Sequence, residues 1–458
     1  MENNLIVKQF EDKPLAHYSY AILSGKEIVL VDPQRDPKIY YDFARRHNAE
    51  IVGVIETHPH ADFTSSHKEI HLETGATIYV SSMVKADYPH KGFDEGQKIK
   101  MPGGVSLHAI NTPGHSPDSI CIVLNDNGKD KYVFTGDTLF IGDCGRPDLR
   151  ESAGALQAKR EELAGQMYHS LRDKLMKLDD DVIVYPAHGA GTLCGKALSS
   201  DDSSTIGKEK KTNWSMQEMS KEDFIKEITA DQPFIPDYFG YNVAVNKGGA
   251  YEYQPSITKV KFWGPVKSQA DLKGVDPNIV IIDTRSADLF KEGHLPNSIN
   301  LMDGNKFETW LGSIVAPDEP FYLAAEDQDT LETLVRRTAK IAYEGRIKAA
   351  FVLEYGEETS PSFDKHDFEN NPNAWTILDI RNPSEVAAGK FFEHAINIPL
   401  NELRKRIDEI PTDKPVLVHC AGGYRSAAGS SIVEMNIGDT KVVDLSEAVK
   451  EYAAKELV

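Results

Sequence analysis

The chain has 458 residues, which is too long for one ordinary hydrophobic core, so we expect about two to four domains. Its 71 acidic and 51 basic side chains give a formal charge of −20, which argues against nucleic acid or an anionic membrane as a partner. No apolar run reaches the roughly 18 residues that cross a bilayer, and the N-terminus MENNLIVKQF lacks a secretory-signal pattern. The four cysteines lack CxxC spacing, which favours a reducing cytoplasm over a disulfide framework.

The first part of the chain is predicted to contain short apolar strands that end in polar turns. Four examples are EIVLVDPQRD (27–36), EIVGVIETH (50–58), KYVFTGDTLF (131–140) and DVIVYPAHGAG (181–191). Strands that deliver polar side chains from their C-terminal ends onto loops indicate a site at one edge of a sheet.

The stretch ETHPHADFTSSH (56–67) indicates a metal site. His58, His60 and Asp62 stand at alternate positions just after an apolar strand, and Phe63 follows the aspartate. Imidazole and carboxylate are the usual ligands for zinc and non-haem iron. The residues alone leave the metal and the number of ions open.

Four further segments continue the pattern: NTPGHSPDS (111–119), FTGDTLF (134–140), CGRPDL (144–149) and YPAHGAG (185–191). In the order and the residues of its motifs the series resembles the metallo-β-lactamase superfamily over roughly residues 5–245. The resemblance implies an αββα sandwich. The dinuclear zinc hydrolases of that superfamily have a histidine directly after the aspartate to hold the second metal. Here that position is Phe63, whose ring offers no lone pair, so we expect a single metal ion.

Within the superfamily the sequence resembles the persulfide dioxygenase branch, which holds one Fe(II) with two histidines and an aspartate. Those positions match His58, His115 and Asp137, so the resemblance implies one Fe(II) per chain. Two imidazoles and one carboxylate leave open positions for O₂ and substrate, as in non-haem oxygenases. The resemblance places His60, Asp62 and His188 around these ligands, where they would orient ligands or substrate.

The branch also has a G-R-x-D signature, which matches Gly145 to Asp148. Beside an iron site, the Arg146 guanidinium would hold the anionic end of the substrate or a neighbouring carboxylate, and we assign Arg146 and Asp148 to substrate binding. Cys194 lies on a glycine-rich loop six residues after His188. Its thiol either exchanges sulfur with a persulfide or fills space in the core, and both alternatives stay open.

Two later stretches resemble each other, which indicates tandem domains. In both, an apolar strand is followed by Asp-x-Arg and then by a short helical segment. They are NIVIIDTRSADLFKEGHLPNSINL (278–301) and AWTILDIRNPSEVAAGKFFEHAINIPL (374–400).

The segment PVLVHCAGGYRSA (415–427) of the second repeat predicts a reactive thiol. A strand ends in Cys420, and Gly422, Gly423 and Arg425 follow before a helix. Backbone amides aimed at the sulfur and the positive end of the helix favour a thiolate and can hold a persulfide. This C-x-x-x-x-R loop, with its upstream Asp-x-Arg, resembles rhodanese, whereas low-molecular-weight phosphatases usually have one more residue in the loop. In the first repeat Ala325 stands at the cysteine position, so we expect that copy to be inactive.

We therefore predict a multidomain α/β protein, which is an αββα metallo-β-lactamase sandwich followed by two rhodanese-like domains with central parallel sheets. The expected domains are a persulfide dioxygenase domain (1–254), an inactive rhodanese-like domain (255–358) and an active rhodanese domain (359–458). The polar stretch 199–213 has the composition of a linker, but its part STIGKEKKTN (204–213) resembles the terminal segment of the dioxygenase branch, so the stretch is kept in the first domain.

The arrangement resembles bacterial persulfide dioxygenase–rhodanese fusion proteins. That resemblance implies oxidation of a low-molecular-weight persulfide by O₂ to thiol and sulfite, coupled to sulfur transfer at Cys420 that gives thiosulfate. The alternatives are a zinc thioester hydrolase like glyoxalase II and a sulfur carrier without oxygenase activity. The expected partners are these small molecules only, and the oligomeric state stays open, with a homo-oligomer as one alternative.

Overall fold

The computed structural model describes residues 5–149, 157–196 and 198–453. The chain divides into two compact units, which are residues 1–255 with 339–342, the N-terminal unit, and residues 256–338 with 343–458, the C-terminal unit. None of the helices within the described ranges is long and apolar enough to span a membrane.

The N-terminal unit contains two six-stranded mixed sheets. The strands of the first sheet, in spatial order, are β1 (Ile6–Asp12), β2 (His17–Ser24), β3 (Glu27–Val31), β4 (Glu50–Ile55), β5 (Thr77–Val80) and β6 (Lys91–Gly92). The strands of the second sheet, in reverse spatial order, are β7 (Lys98–Lys100), β8 (Val105–Asn111), β9 (Ile120–Asp126), β10 (Lys129–Gly136), β11 (Ile183–Pro186) and β12 (Ser204–Thr205). The helices of this part of the chain are α1 (Lys38–His47), α2 (His67–Thr74), α3 (Gln157–His169), α4 (Ile206–Thr212), α5 (Lys221–Thr229), α6 (Tyr238–Gly248) and α7 (Tyr253–Ile257).

Alternating side chains of β2 show how the two sheets are covered. Tyr20 and Ile22 belong to the core between the two sheets, whereas Ala21 and Leu23 belong to the core shared with α1. This period of two is that of a strand whose two faces are both buried. Strand β9 behaves in the same way, because Ile122 faces the inter-sheet core and Val123 packs with residues of α3 and α5. The layers are therefore helix, sheet, sheet and helix, and the predicted αββα sandwich is confirmed.

The C-terminal unit contains two parallel four-stranded sheets with the same strand order. The first repeat has β13 (Val280–Asp283), β14 (Ser298–Asn300), β15 (Phe321–Ala325) and β16 (Ile347–Val352) in the order β14-β13-β15-β16, with helices α8 (Ala287–Glu292), α9 (Phe307–Ile314) and α10 (Gln328–Ala339). The second repeat has β17 (Thr376–Asp379), β18 (Ile396–Asn397), β19 (Val416–His419) and β20 (Val442–Asp444) in the order β18-β17-β19-β20, with helices α11 (Lys365–Asn370), α12 (Pro383–Ala388), α13 (Leu400–Leu403), α14 (Tyr424–Asn436) and α15 (Val449–Ala453).

The Asp-x-Arg element forms the same buried ion pair in both repeats. Arg285 pairs with Asp283 at 2.6 Å and donates to the Gly293 carbonyl, and its counterpart Arg381 pairs with Asp379 at 2.7 Å. These arginines are buried, so each one joins the end of the first strand of its repeat to the chain that follows. The predicted internal repeat and its parallel sheets are confirmed.

Candidate functional site

The three predicted metal ligands, His58, His115 and Asp137, come together at the ends of strands of the N-terminal unit. Each is at most 3 % exposed, and the Nε2 atoms of His58 and His115 lie 3.7 Å and 3.5 Å from Asp137 Oδ2. Asp137 Oδ2 is buried and has no hydrogen-bond partner among the described residues. A buried oxygen of this kind beside two imidazoles fits a metal ion. We call these three residues the metal triad.

Hydrogen bonds fix the tautomers of both histidines. His115 Nδ1 lies 2.9 Å from the carbonyl oxygen of Arg146, which can only accept, so Nδ1 carries the proton and Nε2 the lone pair. His58 Nδ1 lies 3.0 Å from Thr57 Oγ1, whose own proton goes to Asp32 Oδ2 at 2.8 Å. Thr57 therefore accepts from His58. Both Nε2 lone pairs are left to face Asp137, as metal binding requires.

Sequence reasoning missed the roles of Asp32 and Thr57. Asp32 is 1 % exposed, has a left-handed φ of 49°, and accepts from the backbone N–H of Thr57 at 2.7 Å. It also lies 3.2 Å from His60 Nε2. The available signal was its place directly after β3, one of the strands that end in a polar residue.

His188 and Asp62 support Asp137 from its other side. His188 Nδ1 donates to Asp137 Oδ1 at 2.7 Å, and its Nε2 lies 2.8 Å from Asp62 Oδ2. Burial lowers the pKa of His188, but the two carboxylates outweigh it and hold this pKa well above its usual value. Burial likewise raises the pKa of Asp137, yet His188, His115 and His58 together bring it well below the ordinary range. Each ring nitrogen of His188 therefore lies beside a carboxylate oxygen.

The Phe63 ring lies against a second group of side chains that could bind a metal ion, which consists of His60, Asp62 and His188. We call these three residues the second group. These three residues are buried, and one potential ligand atom of each lies within 4.8 Å of the others. The ring of Phe63 is 1 % exposed, and its centre lies 3.8 Å from that of His17 and 4.5 Å from that of His60. It fills this space with carbon and adds no ligand atom.

Two motif glycines let the backbone approach the metal triad. A Cβ on Gly145 would lie 1.9 Å from the carbonyl oxygen of Asp137 and 2.9 Å from His115 Nδ1. Gly136 has a left-handed φ of 51°, and a Cβ there would lie 2.6 Å from Thr57 Oγ1. Any larger residue would therefore displace a ligand or its support.

The buried Arg146 guanidinium holds a neighbouring carboxylate, the second of the two alternatives that the sequence left open. Its Nε and Nη2 each donate to Asp148 at 2.7 Å, and Nη1 donates to the carbonyl of Leu193 at 3.2 Å. Arg146 is 1 % exposed, and its backbone carbonyl orients His115. The role of Arg146 and Asp148 in substrate binding stays a prediction.

Cys194 lies at the metal triad rather than in a distant core. Its sulfur and potential ligand atoms of Asp137 and His188 all lie within 4.8 Å of one another. Burial first, and then the charges of Asp62 and Asp137, raise the pKa of this thiol well above its usual value. The thiol is therefore protonated at neutral pH, which makes it a poor nucleophile. Its proposed exchange of sulfur stays a prediction.

The thiol loop, residues 420–425, leads from the end of β19 into the first turn of α14. The backbone N–H of Gly423 donates to Cys420 Sγ at 3.2 Å, and Gly423 needs its glycine because its φ is 100°. Gly422 has open space around its Cβ position. Arg425 donates through Nη1 and Nη2 to both oxygens of Glu385 at 2.6 Å and 2.7 Å. Burial lowers the pKa of Arg425, but Glu385 outweighs it and the pKa is raised.

The first repeat has no counterpart of Cys420, Arg425 or Glu385 at the equivalent positions. Ala325 ends β15, and Thr330 stands five residues later, where the second repeat has Arg425. Leu289 occupies the place of Glu385, four residues after the arginine of Asp-x-Arg. Asp327 accepts from the Thr330 backbone N–H at 2.8 Å, so a carboxylate caps the helix start here. The thiol, the arginine and the paired glutamate of the second repeat thus have no counterpart at the equivalent positions of the first.

Comparisons with known proteins agree with this architecture. The model of the metallo-beta-lactamase superfamily matches residues 12–188, and that of the rhodanese-like domain matches residues 267–358 and 363–455. Persulfide dioxygenase ETHE1, mitochondrial, of Bos taurus is 28 % identical over 262 residues, which are 55 % of this chain and 91 % of the relative. Hydroxyacylglutathione hydrolase cytoplasmic of Arabidopsis thaliana is 32 % identical over 176 residues, which are 38 % of this chain and 63 % of the relative.

A solved structure extends the likeness beyond the N-terminal unit. The crystal structure of a metallo-beta-lactamase from Staphylococcus aureus subsp. aureus COL has 30 % sequence identity and a TM-score of 0.69. The match covers 76 % of this chain and 99 % of that one. The chain therefore belongs to the metallo-β-lactamase superfamily and has two rhodanese-like domains after its metallo-β-lactamase domain.

Proposed function

We propose that the chain is a persulfide dioxygenase joined to a thiosulfate-forming sulfurtransferase. In the first reaction a low-molecular-weight persulfide, R–S–SH, reacts with O₂ and water to give R–SH and sulfite. In the second reaction another molecule of the persulfide gives its outer sulfur to the Cys420 thiolate and leaves as the thiol, and sulfite then accepts this sulfur from the Cys420 persulfide. The relative named persulfide dioxygenase supports the first reaction, and the match to two rhodanese-like domains supports the second.

The observation that carries the proposal is the ring of Phe63. A phenyl ring at residue 63 adds no metal ligand to the second group, where a histidine would add one. Each ring nitrogen of His188 already lies beside a carboxylate. The metal triad is then the better-built site, with two imidazoles and one carboxylate. A ferrous ion held by the metal triad would supply the redox chemistry by which O₂ oxidises the outer sulfur of the persulfide.

The residues around the metal triad orient it before any ion is bound. Asp32 acts on His58 through Thr57, and the Arg146 carbonyl acts on His115. His188 holds the second oxygen of Asp137, so that Oδ2 alone is directed towards the two Nε2 atoms. Supports of this kind keep ligands in place and tune their basicity. We infer that the neutral thiol of Cys194, beside Asp137, forms part of the wall against which the persulfide binds.

At the thiol loop, sulfur transfer needs an anion at Cys420 and a place for it among backbone amides. Sulfite attacks the outer sulfur of the Cys420 persulfide, the S–S bond breaks, and thiosulfate and the Cys420 thiolate form. The Gly423 N–H, at 3.2 Å from Sγ, stabilises the thiolate that leaves. Both reactions occur on one chain, which raises the effective concentration of sulfite for the second.

A zinc thioester hydrolase is the second candidate, because two observations favour it. One is the 32 % identity to a hydroxyacylglutathione hydrolase. The other is the proximity of His60, Asp62 and His188, which are residue types that would suit a second metal ion. Metal stoichiometry separates the two candidates.

Replacing Phe63 with histidine tests the importance of this ring for metal number. We expect the zinc-reconstituted wild-type protein to bind one ion tightly and Phe63→His to bind two, because the new imidazole adds a ligand beside His60. Phe63→Leu is the matched control, since it is apolar and should bind one. Equilibrium dialysis with metal analysis gives the stoichiometry. Two tightly bound zinc ions in the wild-type protein would favour the hydrolase.

A further inference from the structure

The thiol loop of the second repeat contacts the first repeat through Tyr424. The Tyr424 hydroxyl donates to the carbonyl oxygen of Met302 at 3.0 Å. Its ring lies against Gly304, where a Cβ would be 2.6 Å from Cε2 of the ring. A side chain of any size at residue 304 would therefore push the ring away. Tyr424 directly follows Gly423, whose N–H points at the sulfur of Cys420.

The turn of the first repeat that contacts Tyr424 is held by an ion pair between Arg337 and Glu308. Arg337 donates through Nε and Nη2 to both oxygens of Glu308, at 2.8 Å and 2.6 Å. The same Nη2 donates to the Gly304 carbonyl at 2.7 Å, and Nη1 donates to Asp303. Glu308 is fully buried. A bidentate arginine–glutamate pair holds both side chains in one orientation. Because Arg337 also binds the Gly304 carbonyl, the pair fixes the position of residue 304.

Two more contacts join the repeats near the thiol loop. The Arg425 guanidinium, while paired with Glu385, also lies 5.9 Å from the ring centre of Trp310 in the first repeat. Ser431 Oγ accepts from the backbone N–H of Asn300 at 2.9 Å. Ser431 lies two helical turns beyond Tyr424, on the same side of α14. The first repeat therefore contacts the first two turns of this helix.

We propose that the first repeat is a positioning device for the thiol loop of the second. Gly304 and the Met302 carbonyl fix Tyr424, and Tyr424 in turn fixes the direction of the Gly423 N–H towards Cys420 Sγ. Arg337 and Glu308 act one step further away by holding the turn. The proposal rests on the proposed function of Cys420 as the sulfur carrier. It assigns a role to the first repeat, which has the same fold as the second but has no counterpart of Cys420, Arg425 and Glu385.

Gly304→Ala tests the contact in the full-length protein. The matched control is Gly345→Ala, because Gly345 lies in the same repeat with open space at its Cβ position. We expect Gly304→Ala to lower kcat/KM for sulfur transfer from thiosulfate to cyanide by roughly 10- to 100-fold, the effect of a misplacement of about 1 Å. We also expect the rate of Cys420 alkylation by iodoacetamide to rise at higher pH than in the wild type. Gly345→Ala should match the wild type in both.

The alkylation profile, followed by mass spectrometry of the Cys420 peptide, separates positioning from a general loss of structure. If sulfur transfer depends on Cys420 but Gly304→Ala equals Gly345→Ala in both measurements, the positioning role is wrong and the proposed function stands. If the wild-type protein shows no Cys420-dependent transfer, the proposed function of that domain is wrong. The alkylation profiles still report on positioning in that case.

A second variant covers the case in which Gly304→Ala does not fold, as judged by circular dichroism. Tyr424→Phe keeps the ring and removes only the hydrogen bond to the Met302 carbonyl. We expect a several-fold loss of kcat/KM, the size of one ordinary hydrogen bond of about 1 kcal/mol, with the alkylation curve moved in the same direction. Wild-type values for Tyr424→Phe in both measurements would then overturn the proposal.

Discussion

Asp137→Ala should remove the bound metal and abolish persulfide-dependent O₂ uptake. Asp137 supplies the only carboxylate of the metal triad, and its Oδ2 lies within 3.7 Å of both imidazole Nε2 atoms. Mutation of residues that merely support a ligand costs roughly 10- to 100-fold in metal affinity or activity, so loss of the ligand itself should cost more than ~100-fold. Metal analysis after gel filtration and an oxygen electrode with glutathione persulfide measure the two effects.

The control for this variant is Asp94→Ala, which removes an aspartate of the same unit that accepts from Ser81 at 2.9 Å. It should keep both metal and turnover. His188 retains Asp62 as a neighbour when Asp137 is lost, so we expect Asp137→Ala to fold, which thermal unfolding checks. A folded Asp137→Ala protein with wild-type metal content and O₂ uptake would show that Asp137 is not a ligand.

Cys420→Ser should abolish sulfur transfer while leaving most of the O₂ uptake. A hydroxyl has nearly the shape of a thiol but forms no persulfide, so the Gly423 N–H is left without a sulfur anion to stabilise. We expect at least a ~1000-fold loss of thiosulfate sulfurtransferase activity, since loss of a covalent nucleophile costs factors of this order or more. With persulfide and O₂ the product should shift from thiosulfate to sulfite, which ion chromatography measures.

Cys121→Ala provides the control for this variant, because it removes a thiol from the core of the N-terminal unit. It should transfer sulfur at the wild-type rate. Sulfur transfer by Cys420→Ser at the wild-type rate would mean that another thiol, such as Cys194, carries the sulfur.

Local sequence patterns were sufficient for the fold and for the main chemical groups. The series of histidine and aspartate motifs led to the sandwich through its resemblance to the metallo-β-lactamase superfamily. The repeated Asp-x-Arg strands and the cysteine loop led to the parallel repeats through their resemblance to rhodanese. The same holds for the metal triad, whose members stand in separate motifs at strand ends. Its assignment as the metal site remains a prediction, although the three side chains do come together.

Contacts between distant parts of the chain were beyond this kind of reasoning. Nothing in the sequence joins Asp32 to His58 through Thr57, or Glu385 to Arg425, because each pair meets only when strands and helices pack. Arg146 shows the same limit, because its hydrogen bond to the Leu193 carbonyl joins two segments that are far apart in the sequence. The Tyr424–Gly304 contact needs both repeats to be folded.

The most direct test of the central claim measures metal and reaction in one sample of purified wild-type protein. Elemental analysis gives the metal, and the same protein is assayed for O₂ uptake with glutathione persulfide and for hydrolysis of a glutathione thioester. We predict about one iron per chain, because Phe63 adds no ligand to the group of His60, Asp62 and His188. One O₂ should be consumed for every two persulfides that end as thiosulfate, with no thioester hydrolysis. Two zinc ions per chain with thioester hydrolysis, or iron without O₂ uptake, would contradict the account.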